Sequence, residues 1–289
     1  MTAQHLSRIN DVLYHIHRDI SRELPVRELA DVAAYSEHHF HRVFKEVVGE
    51  SIHQYIRRTR MEYAANQLMF DPVSSVLDIA NKCGFNSVSS FSRAFKATFR
   101  VSPGEWRKHD LQTAEKPYLT DPEVAAGYHR VAKRSLPVPK IVDAPERFVA
   151  YIRHTGYNRT IKNAWRVLSA WAKSEGRDGQ AQFGLHHSNP AWVALENCRY
   201  VACIEIDKPI KVRGVVNQLV IPGGLHAVFH LTGVYGELLP QISKILEQWL
   251  PESGFKLGST PAYVQYQNNH FLNDNERFEL DFYLPIGFY

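Results

Sequence analysis

Cysteine is scarce in this chain of 289 residues: Cys83, Cys198 and Cys203 are the whole supply. An odd number spread over two regions argues against a disulfide framework and fits a reducing compartment. No apolar run approaches the roughly 20 residues that span a bilayer, which excludes a membrane-embedded chain. The first residues, Met1 to Asp19, alternate polar and apolar and lack the continuous apolar segment of a secretory signal, so a soluble, cytoplasmic protein is expected. One-signed charge is missing as well: 34 Lys and Arg stand against 30 Asp and Glu, a net +4. Such a mild excess permits a nucleic-acid partner without requiring one. Equally absent are a nucleophile with its base and orienting group, a phosphate-cradling glycine loop and a ligand-spaced set of Cys and His. The chain offers no positive sign of catalysis, and neither cofactor nor metal is expected.

What is present is ordinary globular composition, 44% hydrophobic and 22% charged, in a length that suggests two domains. Internal repeats organise both. Phe40-His41-Arg42-Val43-Phe44-Lys45 is echoed 51 residues later by Phe91-Ser92-Arg93-Ala94-Phe95-Lys96. Leu29-Ala30 pairs with Ile79-Ala80 and Ala34-Tyr35 with Gly84-Phe85, at an offset of 50, so the second copy carries one extra residue in its turn. Each copy reads as a helix-turn-helix: the alanine in the first short helix lets the second approach closely, and polar residues open that second helix. Between the copies, 52–68 places Ile52, Tyr55, Ile56, Met61, Ala64, Ala65 and Leu68 mostly at three- and four-residue steps, which predicts a connecting amphipathic helix ended by Asp71-Pro72. Its 17 or so residues would span roughly 25 Å, enough to present two recognition helices to one face of DNA.

After residue 140 a second repeat appears at offsets of 77–78: Thr155-Gly156 and Thr232-Gly233, Trp171 and Trp249, Arg199-Tyr200 and Arg277-Phe278. Each copy reads as a strand (148–153; 227–231), a glycine turn, an amphipathic helix (160–172; 238–250) and two more strands. Between the halves, 109–140 carries Pro117, Pro122, Pro137 and Pro139 among scattered charges, the composition of a linker. The expected organisation is multi-domain, α and α+β: an all-α double helix-turn-helix domain over 1–110, a linker over 111–138 and a duplicated α+β domain over 139–289.

Ile79-Ala80, Gly84-Phe85, the run Phe91 to Lys96, Phe99, Ser102-Pro103 and Trp106-Arg107, together with the first repeat, resemble the AraC/XylS family of transcription regulators over about residues 6–108. The resemblance implies binding of double-stranded promoter DNA. It places His38, His41 and Arg42 of the first recognition helix, and Val88, Ser89 and Arg93 of the second, against base edges. An arginine can take guanine through two hydrogen bonds, whereas Ser89 is permissive and Val88 reaches at best a thymine methyl, so the first helix should be the better reader. Phosphate contacts would come from Lys45, Lys96, Arg100, Arg57 and Arg58, with Arg60 and Arg107 as further candidates. Residues 1–110 hold 15 basic against 13 acidic side chains, so positive charge must be concentrated on one face, as it is over 85–100. The family usually has glycine where Ala34 and Arg100 stand; both positions are expected at positive φ, costing about 1 kcal/mol each. His38, His39 and His41 could suggest a metal cluster, but no cysteine or carboxylate set completes one.

The second half resembles the GyrI-like effector-binding domain over about 139–288, through Arg153-His154-Thr155-Gly156, Cys198-Arg199-Tyr200, Pro222-Gly223-Gly224, Trp249 through Pro251 to Ser253-Gly254, and Leu284-Pro285. With the DNA reader first, the order resembles the Rob subgroup. The resemblance implies a pseudo-symmetric sheet whose cleft binds a small-molecule effector, often through aromatics and a buried glutamate. Here Pro261-Ala262-Tyr263 is followed by Val264 where that glutamate is usual, which points to a neutral or anionic ligand or to another acid such as Glu205. Tyr157, Trp165, Trp192, Tyr263 and Tyr283 are the candidate pocket aromatics. His186-His187 reads as structural, and Cys198 and Cys203 as packed small residues. The alternatives for this half are a small-molecule hydrolase or scavenger, and a module that binds a protein partner such as RNA polymerase.

Overall fold

The computed structural model describes residues 3–18, 20, 22–108, 116–208, 210 and 215–289. Two compact units result, one ending at His109 and the other beginning at Asp110, with the stretch Lys211–Asn217 grouped with the first. Among the described residues no helix is long and apolar enough to cross a membrane.

The first unit is helical: α1 (Ala3–Arg18), α2 (Val26–Val32), α3 (Glu37–Val48), α4 (Ile52–Phe70), α5 (Val76–Lys82), α6 (Val88–Phe99) and α7 (Pro103–Arg107). Serine starts five of these helices. Ser36, Ser51, Ser75, Ser87 and Ser102 each accept a hydrogen bond from the backbone N–H three residues on, and Gln54, Asp78 and Glu105 complete reciprocal capping boxes. Such caps are worth about 1 kcal/mol apiece and fix where each helix begins. The two turns match as the sequence predicts: Tyr35 N–H donates to Ala30 O at 2.9 Å, and Phe85 N–H to Ala80 O at 3.0 Å. Both alanines are buried. Asn86 is the added residue, lying between Phe85 and the capping Ser87.

Helix α4 runs two residues past its predicted end, to Phe70, where the Asp71 carboxylate takes the N–H groups of Val73 and Ser74. Its first half puts Ile52, Tyr55 and Ile56 into one core with Ile9, Ile16, Leu29, Phe40 and Phe44. Its second half buries Met61, Ala64, Ala65 and Leu68, and the Trp106 indole N–H donates to Ala65 O at 3.1 Å. One helix thus serves as a wall for both copies.

The second unit is sheet-rich. Strands β1 (Lys140–Ala144), β2 (Arg147–Thr155), β3 (Gln182–His186), β4 (Arg199–Glu205), β5 (Asn217–Ile221), β6 (Gly224–Val234), β8 (Ala262–Asn268) and β9 (Arg277–Gly287) lie in the order β1-β6-β9-β8-β3-β4-β2-β5, and β7 (Lys256–Leu257) pairs with β9. Outward from the β3–β8 pair the order is β3-β4-β2 on one side and β8-β9-β6 on the other. Helix α9 (Ile161–Ser174) follows β2, and α10 (Leu238–Lys244) follows β6. The predicted helix over 238–250 contains a π turn, Ile245–Trp249, which the apolar spacing did not reveal; Trp249 packs edge-on against Phe229, ring centres 5.1 Å apart. All three cysteines are free and buried, and burial pushes the Cys83 thiol up to about 12.

The stretch 111–138 departs from its reading as a linker. Its described part forms a 3₁₀ turn (Pro117–Thr120) and an eleven-residue helix, α8 (Pro122–Ala132). Pro117 and Pro122 occupy first-turn positions, where the missing N–H costs nothing, so they start these elements rather than interrupt them. Buried Tyr118 donates its hydroxyl to Ser243, and Arg130 and Arg134 both donate to Glu237, a carboxylate side chain only 3% exposed. Here proline density reflected helix starts.

Candidate nucleic-acid interface and ligand cavity

On α3, Phe40, Val43 and Phe44 face inward. His38, His41, Arg42 and Lys45 follow the i, i+3, i+4, i+7 pattern on the other side, and all four are exposed. Arg42 donates through Nη2 to His39 Nδ1 at 3.0 Å, one turn back along the helix. On α6 the inward residues are Phe91, Ala94 and Phe95, each 51 positions after its counterpart. Ser89, Arg93 and Lys96 are exposed at the positions matching His38, Arg42 and Lys45, with Val88 exposed beside them. Ser92 matches His41 and was missed by the sequence reading, although the same 51-residue offset marks it.

The basic residues divide by engagement. Arg58, expected at phosphate, is held instead by two carboxylates: Nη2 lies 2.6 Å from Glu50 and Nη1 2.7 Å from Glu62. Burial opposes its charge, but the hydrogen bond to Glu50 and the charges of Glu62 and Glu50 outweigh it and raise its pKa. Arg60 is likewise occupied by the carbonyls of Ile20 and Arg22, and Arg107 by that of Ser74. Each of these three is thus engaged with a carboxylate or a backbone carbonyl of the fold. Arg57, Lys45, Lys96 and Arg100 remain at the surface. Arg100 sits at φ 67° and Ala34 at φ 50°, the two left-handed positions expected from the missing glycines.

In the second unit a half-open cavity lies between α9, α10 and one face of the sheet. Side chains alternate faces along a strand, so parity decides which residues reach it. His186 on β3, Tyr200 on β4 and Tyr266 on β8 line it, joined by Tyr157, Tyr235, His270 and Phe271. The Trp165 indole N–H donates to the Tyr200 hydroxyl at 3.2 Å, and that hydroxyl lies 3.1 Å from the hydroxyl of Tyr266. Tyr200 fits because β3 offers Gly184 beneath it: a Cβ there would stand 2.3 Å from the Tyr200 oxygen. Burial holds the imidazoles neutral, with His186 lowered to about 4 and His270 to about 3.

Of the predicted pocket aromatics only Tyr157 lines this cavity. Trp165 is fully buried and supports its floor from α9. Tyr263 and Tyr283 are an odd number of residues from Tyr266 and Phe282, so they stand on the opposite face, stacked with ring centres 4.6 Å apart. Glu205, odd relative to Tyr200, also points away and pairs with Arg147 at 2.9 Å. Trp192 lies in the connection between β3 and β4, outside the lining. Val264 occupies the position of the usual glutamate and is buried directly opposite Gly184. The residues that do converge, Tyr200, Tyr266, His270 and Phe271, were hidden because strand parity and pairing, rather than motif, bring them together.

Residues 137–287 match the family described as a GyrI-like small molecule binding domain, and residues 29–109 match a helix-turn-helix domain family. The TetD protein of transposon Tn10 from Escherichia coli is 36% identical over 111 residues, covering 38% of this chain and 80% of that protein. The HTH-type transcriptional activator AarP of Providencia stuartii is 34% identical over 119 residues, 41% of this chain and 87% of AarP. Among solved structures, the DNA-binding domain of AdpA, a global transcriptional factor, in complex with a target DNA superposes with a TM-score of 0.34 at 24% identity, over 35% of this chain and 91% of that one.

Proposed function

We propose, because the chain belongs to the AraC family of DNA-binding transcription regulators and carries a GyrI-like small molecule binding domain, that a small molecule in the cavity of the second unit governs how the first unit holds its promoter. The observation that carries the DNA half is the doubled outward stripe: exposed His38, His41, Arg42 and Lys45 on α3, and exposed Ser89, Arg93 and Lys96 with half-buried Ser92 on α6, each behind an aromatic core stripe at the same spacing. In this reading Arg42 and Arg93 take base edges. His38 and His41 add base contacts in the first unit. Lys45, Lys96, Arg57 and Arg100 hold phosphates.

Two units in one chain suit a site of about 20 base pairs, two turns of the duplex. The strand order repeated outward from β3 and β8, with the 77–78-residue offset, supports reading the second unit as an internal duplication whose two helices flank one cavity.

The test is selection of bound duplexes from a random pool, followed by footprinting with the intact chain and with Arg42→Ala. A protected site near 20 base pairs, with relaxed preference at one position in the variant, is expected. No enriched sequence at low salt, or a variant identical to the parent, contradicts the reading.

A further inference from the structure

We propose that the cavity takes an uncharged aromatic compound bearing a hydroxyl or similar hydrogen-bonding group, held between aromatic rings and read by the imidazoles of His186 and His270. The inference rests on the reading of this cavity as the effector site and specifies what fits it.

Charge comes first. None of the residues lining the cavity is an Asp, Glu, Lys or Arg. With both histidines neutral, an organic ion would leave water for a site without a counter-charge, which disfavours it relative to its neutral analogue. Charges begin only in the adjoining pocket beyond Tyr235, His270 and Phe271, where Arg159 pairs with Glu276 at 2.6 Å and with Glu123 at 2.5 Å and covers the Tyr235 ring with its guanidinium.

Asn158 and Tyr235 add polar groups to the lining, but unpartnered polar atoms fall on the two histidines. His186 Nε2 and His270 Nδ1 are buried with no hydrogen-bond partner among the described residues, and His270 is only 6% exposed. Buried polar atoms are nearly always paired in a folded protein, so two on one cavity point to a partner that comes from outside. The hydroxyl chain adds a third. Trp165, Tyr200 and Tyr266 bring three N–H or O–H hydrogens to two hydrogen bonds, so one phenolic hydrogen is left over whichever way the Tyr200–Tyr266 bond runs. A ligand hydroxyl, which both donates and accepts, matches a leftover donor and two imidazole nitrogens whose tautomers can serve either role. The Tyr157 hydroxyl is taken by the carbonyls of Ser188 and Arg199, so it contributes only its ring.

Four probes of one shape separate the possibilities: 2-naphthol, naphthalene, 2-naphthoate and 2-naphthyltrimethylammonium, titrated calorimetrically into the full chain. We expect 2-naphthol to bind at least about tenfold more tightly than each of the others, a factor worth about one good hydrogen bond. His186→Phe and His270→Phe should each cut its advantage over naphthalene while leaving naphthalene itself bound. Equal or tighter binding of either ion, or equal binding of naphthol and naphthalene, overturns the proposal and leaves the effector site standing. If none of the four binds, the effector reading falls with it. Should a variant fail to fold, the ranking of the four probes on the unaltered chain decides.

Discussion

Gly127 of α8 and Gly236, just before α10, meet backbone to backbone: a methyl group on Gly127 would stand 2.1 Å from the Gly236 carbonyl oxygen. Helix α8 is therefore seated with no tolerance at this point, and the paired Arg130 and Arg134 hold buried Glu237 beside it. Gly127→Ala should push α8 off its seat and destabilise the second unit by about 2 kcal/mol or more. Urea unfolding reads the loss, and new protease cleavage within 116–134 reports the displaced helix; unchanged stability and protection contradict a tightly seated α8.

Arg57 and Arg58 are neighbours with opposite expected roles. Arg58→Ala removes two part-buried ion pairs, to Glu50 and Glu62, and should lower stability by about 1–3 kcal/mol, while the salt dependence of DNA affinity stays as it was. Arg57→Ala should leave stability within about 0.5 kcal/mol and reduce the slope of log affinity against log salt by about one. Reversed outcomes would return Arg58 to the phosphate set.

Ala34 and Arg100 both occupy left-handed backbone, at φ 50° and 67°. Glycine at either position relieves strain but gives the unfolded chain more freedom, so the net gain should be about 0.5–1 kcal/mol. The two differ on DNA. Ala34→Gly should leave affinity untouched, whereas Arg100→Gly should weaken it through loss of a phosphate contact. Thermal melts with electrophoretic titration of the selected duplex check both; equal DNA effects would remove Arg100 from the interface.

Burial lowers the pKa of His186 to about 4 and of His187 and His270 to about 3. Each is neutral in the folded chain, while in the unfolded chain it takes up a proton below about pH 6.5. Their stabilisation is therefore complete above pH 6.5 and is lost as pH falls toward 4 and then 3, at about 1.4 kcal/mol per pH unit for each histidine. Urea unfolding between pH 7.5 and 4.5 should show this fall, and His270→Phe should make it shallower. An unaltered slope in that variant would mean that His270 does not titrate in this way.

The first unit was legible because its signals are local. Serine caps, the alanines at the helix crossings and the aromatic stripe of α3 repeated on α6 fix helices and turns within a few residues, and 51-residue self-similarity corroborates each assignment. The pairing of Arg58 was not legible because its partner Glu50 lies eight residues away across the start of α4, a relation that the charge count cannot express. In the second unit the elements were visible and the cavity was not. Tyr263 and Tyr266 are three residues apart on β8, yet only Tyr266 faces α9; which of the two faces the helices is settled by pairing with β3 and β9. The prolines of 111–138 show the same ambiguity, since Pro122 at a helix start and a proline in an open connection look alike in sequence.

Ser36 and Ser87 anchor the starts of α3 and α6 through their own side chains, and the packing of those helices is borne by phenylalanines on the far side. Residues 38 and 42, and 89 and 93, are exposed and cap neither helix. If those positions read the bases as proposed, substitutions there would move the protein from one promoter to another at little cost to folding, in either half alone.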